Sequence, residues 1–273
     1  MLAAFLLTLR ETLEAVLIVG IVLSTLRTTQ RSQLDRFVWL GTAMGVILSA
    51  VITLLLNRTG AVLEGTAEQI FEGLTMLLAA SVLTWMIFWM QKQSRPFHQG
   101  LKDDVLEAGR IGRGFPLFSL AFLAVFREGL ELSLFLTAAS FSSEWPTIMT
   151  GASIGIVLAI GLGWALSTGL MRLDLKRFFL ITSILLILVA GGLVAHGVHE
   201  LNEPGWIPAI VEHVWDLNPW FNETSTMGQI MTALFGYNGD PSLSEVLATF
   251  TYYGMLILTL FHQGWQFRIK NQV

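Results

Sequence analysis

The sequence predicts an all-α integral membrane protein of seven transmembrane helices, built as two inverted three-helix repeats plus one extra helix, with the N-terminus outside and the C-terminus in the cytoplasm. Three observations predict it. The 273 residues are 53% hydrophobic and 13% charged, with a mean hydropathy of +0.64, whereas soluble domains carry about a quarter charged residues. Seven apolar stretches are long enough to cross a bilayer, which takes about 20 residues as a helix. Lysine and arginine fall almost entirely in alternate loops.

The stretches run roughly Leu2–Leu26, Phe37–Leu56, Glu68–Met90, Phe115–Phe141, Ile148–Met171, Phe178–His199 and Glu245–Gly264. Their helical character rests on length, and on the need to satisfy every backbone polar group inside lipid. Periodicity adds little, because buried spans are apolar all round. The first stretch is interrupted by charge and lacks a basic leader region, so it reads as a mature span and not a cleaved signal.

Orientation follows from the loops. The first holds Arg27, Arg31 and Arg36, the third Lys92, Arg95, Lys102, Arg110 and Arg113, and the fifth Arg172, Lys176 and Arg177; the tail holds Arg268 and Lys270. The alternate loops hold Arg58 alone. Positive-inside bias therefore puts the C-terminus in the cytoplasm, and an odd number of spans puts the N-terminus outside. The net charge of −4, with basic residues spread along the chain, gives no reason to expect nucleic acid. The absence of cysteine excludes disulfides and thiolate metal sites.

Two segments repeat. Arg10-Glu11-Thr12-Leu13-Glu14 in span one matches Arg127-Glu128-Gly129-Leu130-Glu131 in span four, and both span two (Gly41, Gly45) and span five (Gly151, Gly155) carry G-x-x-x-G, which permits close helix contact. A unit with an odd number of spans reverses direction in its second copy, the design of many transporters with sites near the midplane. The expected organisation is one transmembrane domain over residues 1–273, with repeat one at 1–91, repeat two at 115–200, an outer interfacial segment at 201–244 and the seventh helix at 245–266.

Charges in mid-span are costly in lipid and must face protein or water. Glu11 and Glu14 share one helix face, as do Glu128 and Glu131. Around a pseudo-twofold axis the four carboxylates converge, with Arg10 and Arg127 as charge-balancing partners four residues before Glu14 and Glu131. Four carboxylates without nitrogen or sulfur suit a hard cation: ferric iron, manganese, magnesium or calcium. The competing reading is that the six charges are ion pairs holding spans one and four together.

Glu68 and Glu72 in span three, and His196, His199 and Glu200 at the end of span six, are expected to form an outer vestibule that attracts cations; Glu64 fits a helix start. The following segment, with Glu203, Glu212, Asp216, Glu223 and Asp240 and the aromatic Trp206, Trp215 and Trp220, suits a membrane-hugging loop. Pro208–Leu217 and Met227–Tyr237 are expected as short surface helices. No H-E-x-x-H spacing is present, since His199-Glu200 is followed by Leu201-Asn202-Glu203, so no metalloprotease is expected.

The paired R-E-x-x-E motifs, with the His199-Glu200-Leu201 and Phe235-Gly236-Tyr237-Asn238-Gly239-Asp240-Pro241-Ser242 stretches, resemble the oxidase-dependent iron transporter family, in particular its bacterial branch. The resemblance covers essentially the whole chain. It implies an iron ion permease of the bacterial cytoplasmic (inner) membrane, not an enzyme, with the motif glutamates as ligands and iron as transported substrate, not permanent cofactor. It also implies periplasmic or surface redox partners, a cupredoxin-like protein and a haem peroxidase. Relatives that move lead leave another divalent metal, or manganese, as alternative cargo. A non-transporting membrane subunit with structural ion pairs is the other alternative.

Overall fold

The structure, a computed structural model, describes residues 1–93, 114–168, 174–220 and 236–270, together with 225, 227, 228, 231 and 232, with side chains outside 90–93 and 261–270. Among these residues it forms seven α-helices and no strand: α1 Leu2–Thr28, α2 Asp35–Val62, α3 Thr66–Gln93, α4 Gly114–Ser142, α5 Trp145–Ser167, α6 Leu175–Asn202 and α7 Leu243–Lys270. Each coincides with one of the expected stretches. The shortest, α5, has 23 residues, and at about 1.5 Å per residue even this is longer than the hydrocarbon core is thick.

Five of the helices, α2, α3, α5, α6 and α7, are long and apolar enough to cross a membrane. The other two, α1 and α4, are equally long but carry the R-E-x-x-E charges in their middle turns. Large apolar side chains line the exterior, including Ile47 and Leu54 on α2 and Val157 and Trp164 on α5. So much exposed apolar surface is stable only against lipid or another apolar partner.

The chain divides into two compact units, Met1–Leu63 with Ser81–Ile187, and Glu64–Ala80 with Leu188–Val273. Helices α3 and α6 each give one half to each unit.

In the first unit α2 packs on α4, α5 packs on α1, and α1 and α4 meet. The glycine pairs make these contacts close. A Cβ on Gly41 would stand 2.4 Å from the Phe118 carbonyl oxygen, and one on Gly45 3.1 Å from the Phe126 nitrogen. A Cβ on Gly151 would stand 2.4 Å from the Met1 carbonyl oxygen, and one on Gly155 2.7 Å from that of Phe5. In the register that aligns Arg10 with Arg127, Met1, Phe5 and Leu9 correspond to Phe118, Phe122 and Phe126. The two contacts thus use corresponding residues, with each G-x-x-x-G helix resting on the charged helix of the other segment. Two turns further on, Thr53 and Ser133 join by hydroxyls 2.7 Å apart, while at the corresponding positions Gly163 abuts Val16. Val22, Leu26, Val38, Leu117 and Ala121 close the core at one end, and Ala4, Leu136, Ile148 and Ala152 at the other.

In the second unit the first turns of α3 meet the last turns of α6, where Gly73 abuts the Gly197 carbonyl and Leu201. The Tyr253 hydroxyl of α7 donates to the Leu188 carbonyl at 3.3 Å. The expected helix over Pro208–Leu217 is corrected: the segment is irregular. Its amides are engaged across the segment, Val214 N to Pro241 O at 3.0 Å and Leu217 N to Gly239 O at 2.8 Å. Those bonds replace the i to i−4 ladder a helix needs. Of the expected helix Met227–Tyr237, the described Met227, Gly228, Met231 and Thr232 are helical, whereas Gly236, at φ 63°, and Tyr237 are not and end it earlier than expected; residues 229, 230 and 233–235 lie outside the described residues. So do Glu223 and, among the residues that orient the chain, Arg95, Lys102, Arg110, Arg113 and Arg172.

Gly41→Ala is expected to destabilise the protein by about 1–3 kcal/mol, the usual cost of overpacking. Gly20→Ala, whose Cβ would meet nothing within 4 Å, should be neutral or stabilising by up to about 1 kcal/mol. Chemical unfolding of both variants in detergent checks the contrast.

Candidate functional site

Helices α1 and α4 run unbroken through their charged motifs, so each presents its glutamates one turn apart on a single face. Arg10 and Glu11 are fully buried, and Glu128 and Glu131 are 3% and 7% exposed. In α1 the Arg10 guanidinium donates to Glu11 Oε1 at 2.6 Å and lies 3.0 Å from Glu14 Oε1. It also points a donor at the Met86 sulfur, 3.0 Å away on α3. In α4, Arg127 Nε donates to Glu131 Oε1 at 3.1 Å and lies 3.9 Å from Glu128 Oε1. The Arg127 guanidinium carbon sits 4.4 Å over the Trp89 ring.

One oxygen each of Glu11, Glu128 and Glu131 falls within 4.8 Å of the others, the one group of this kind among the described residues. Oxygens on opposite sides of a single calcium-like ion lie about 4.6–5.2 Å apart, so this spacing is within reach of one cation. Each of the three carboxylates also keeps a buried Oε2 with no hydrogen-bond partner. Two ionised carboxylates about 5 Å apart repel by roughly 3 kcal/mol at an effective dielectric constant of 20. Two arginines that each hold mainly their own helix's glutamates leave much of that repulsion for a bound cation to relieve.

The structure gathers three of the four expected glutamates. Glu14 stays outside the group; its side chain is 15% exposed and its Oε1 lies 3.0 Å from the Arg10 guanidinium.

The expected vestibule residues all belong to the second unit, at the start of α3 and the end of α6. Glu72 shares its electrostatic surroundings with Glu200, Glu68 and Glu203, and Gln69 donates to Glu203. His199 Nδ1 is 3.1 Å from Glu245 Oε1. Among the described residues, Glu68, Glu72, His196, His199 and Glu200 do not close into a group that one ion could share. They make an acid-rich end, not a formed metal site.

Three residues in these arrangements were not singled out from the sequence. Glu245, 3% exposed, accepts from the Ser242 amide at 3.1 Å and the Asn238 side chain at 2.9 Å, while its own amide points at Ser242 Oγ at 3.3 Å. Ser242-Leu-Ser-Glu245 is a capping box, a signal present in the sequence. Met86 and Trp89 are apolar residues within an apolar span, and nothing in the sequence distinguishes them from their neighbours.

Removing Arg10 leaves two carboxylates uncompensated in the interior. Arg10→Gln is expected to cost about 3–5 kcal/mol, the usual penalty for breaking a buried ion pair. Arg127→Gln, at a side chain 35% exposed, should cost clearly less. Unfolding midpoints in detergent rank the two.

The match to the iron permease FTR1 family covers residues 1–270. A protein of Escherichia coli (strain K12) that carries the name of an inactive ferrous iron permease EfeU is 37% identical over 257 residues, covering 92% of each chain. The ferrous iron permease EfeU of Yersinia pestis is 36% identical over 255 residues, covering 92% of this chain and 90% of its own. That of Escherichia coli O6:K15:H31 (strain 536 / UPEC) is 36% identical over 257 residues, with 92% of each covered. No solved structure matches the chain significantly. A full-length family match together with relatives of this identity and coverage is decisive: the chain belongs to the iron permease FTR1 family.

Proposed function

We propose that this chain is a permease that imports iron ions across a bacterial cytoplasmic membrane, with Glu11, Glu128 and Glu131 as the ligands of a transient midplane site. The observation that carries the proposal is the buried carboxylate group shared by α1 and α4, three oxygens within the reach of one ion. The relatives' printed names, which specify ferrous iron, support iron over manganese, lead or another divalent metal. Oxygen-only ligation suits a hard or borderline cation that must also be released.

In this reading all seven helices span the bilayer, α1 and α4 included, because their charges face one another and not lipid. The N-terminus is outside and the C-terminus cytoplasmic, as the loop charges require. Residues 1–91 and 115–200 form the two inverted repeats, a reading supported by the corresponding contacts of the two G-x-x-x-G pairs. Residues 201–244 lie at the outer surface. Glu68, Glu72, His196, His199 and Glu200 concentrate cations there, and Glu14 receives or releases the ion beside Arg10. An inside-negative potential draws the cation inward, by about 2.3 kcal/mol per charge per 100 mV. The chain carries iron as cargo and performs no chemistry of its own, so any change of iron oxidation state falls to periplasmic or surface partners, a cupredoxin-like protein and a haem peroxidase.

The other reading, purely structural ion pairs, is disfavoured by the charge arrangement. Arg127 approaches Glu128 only to 3.9 Å, and three buried carboxylate oxygens are left unpaired. A site selected for stability alone would not retain those costs.

Uptake of radiolabelled iron into proteoliposomes tests the proposal. Glu128→Gln and Glu131→Gln are each expected to lower uptake by more than about tenfold, the equivalent of one lost charge-assisted ligand, while remaining folded. Glu212→Gln, on the exposed segment, should transport like the native protein. Native rates in both site variants would contradict the assignment.

A further inference from the structure

The two motifs are identical in their charged residues, yet their arginines sit in different surroundings. Arg10 is fully buried and held by two glutamates. Arg127 is 35% exposed and makes one close contact, through Nε to Glu131. Both guanidinium groups are met by the same short stretch of α3. Met86, itself fully buried, presents its sulfur to Arg10, and Trp89 lies beneath Arg127. Residues three apart share a helix face, so α3 offers one resting place to each arginine. Trp85, one turn earlier, stacks on Trp89 with ring centres 6.4 Å apart and braces it.

We infer that Met86 and Trp89 are positioning residues for the two motif arginines, and that the Trp89 ring is the seat on which Arg127 rests when a cation takes Glu128 and Glu131. This rests on the carboxylate site proposed above. A guanidinium is planar, weakly hydrated and well suited to an aromatic face. Arg127 competes with the incoming ion for the same carboxylates. With an aromatic surface to hold it, the arginine gives up its carboxylate contact without becoming an unpaired buried charge. Without that surface it stays on Glu131 and Glu128, and iron binds more weakly. Arg10, locked by Glu11, Glu14 and Met86, remains in place throughout, which divides the two arginines into a fixed and a yielding member.

The test is radioiron binding to the purified, detergent-solubilised full chain under anaerobic, reducing conditions. Trp89→Leu should raise the half-saturating iron concentration about threefold to tenfold, the range expected for a partly desolvated cation–π contact, and Trp89→Phe should fall between it and the native protein. In an Arg127→Gln background, Trp89→Leu should produce no further shift. A purely structural role for Trp89 would weaken binding equally in both backgrounds, and that result overturns the inference, as does native binding by Trp89→Leu. If Trp89→Leu does not fold, Trp89→Phe decides: a shift absent in the Arg127→Gln background supports the inference, and no shift overturns it. Glu131→Gln separates the two levels. Lost binding there with native binding in the Trp89 variants sinks this inference alone, whereas native binding in Glu131→Gln removes the carboxylate site and this inference with it.

Discussion

The contact between Arg10 and Glu11, 2.6 Å long and fully buried, sets the conditions for the rest of the first unit. An ionised group in a low-dielectric interior must be answered by another group at close range. Neither α1 nor α4 could face lipid along its charged turns, so each has to be enclosed by protein. The two helices bring their charged faces together, and α2 and α5 pack on their backs. The apolar exterior of α2 and α5 and the charged interior between α1 and α4 are two consequences of one requirement.

Enclosure at that range depends on small residues. Gly41 and Gly45 let α2 approach the backbone of α4, and Gly151 and Gly155 let α5 approach that of α1. Without a hydrophobic driving force between helices in lipid, such close van der Waals contact is a principal source of association. In this reciprocal arrangement each motif helix is covered by the glycine helix of the other segment, α4 by α2 and α1 by α5. That interlocking gives Glu11 from one segment and Glu128 and Glu131 from the other a common neighbourhood, which is the geometric basis of the proposed iron site.

Much of this was legible in the sequence. The R-E-x-x-E pair located the charged turns, the G-x-x-x-G pairs located the close contacts, and apolar run length located all seven helices. Legibility failed where tertiary contacts decide. Glu14 and Glu11 share a face and both contact Arg10, yet only Glu11 joins Glu128 and Glu131; spacing alone does not distinguish them. The Pro208–Leu217 segment has an amphipathic pattern, but its amides bond to residues 239 and 241, partners too distant in sequence for a local pattern to reveal. Met86 and Trp89 illustrate the same limit from the apolar side. Their role as neighbours of the arginines comes from which face of α3 meets the cluster. Glu245 is different, since its capping box was readable in Ser242-Leu-Ser-Glu245.

The proposed iron site consists of carboxylate oxygens shared between α1 and α4. Iron-edge anomalous diffraction from crystals of the iron-loaded protein tests it most directly. A peak bounded by the side chains of Glu11, Glu128 and Glu131 is expected. A peak found instead among the histidines at the end of α6, with none at the carboxylate group, would contradict it.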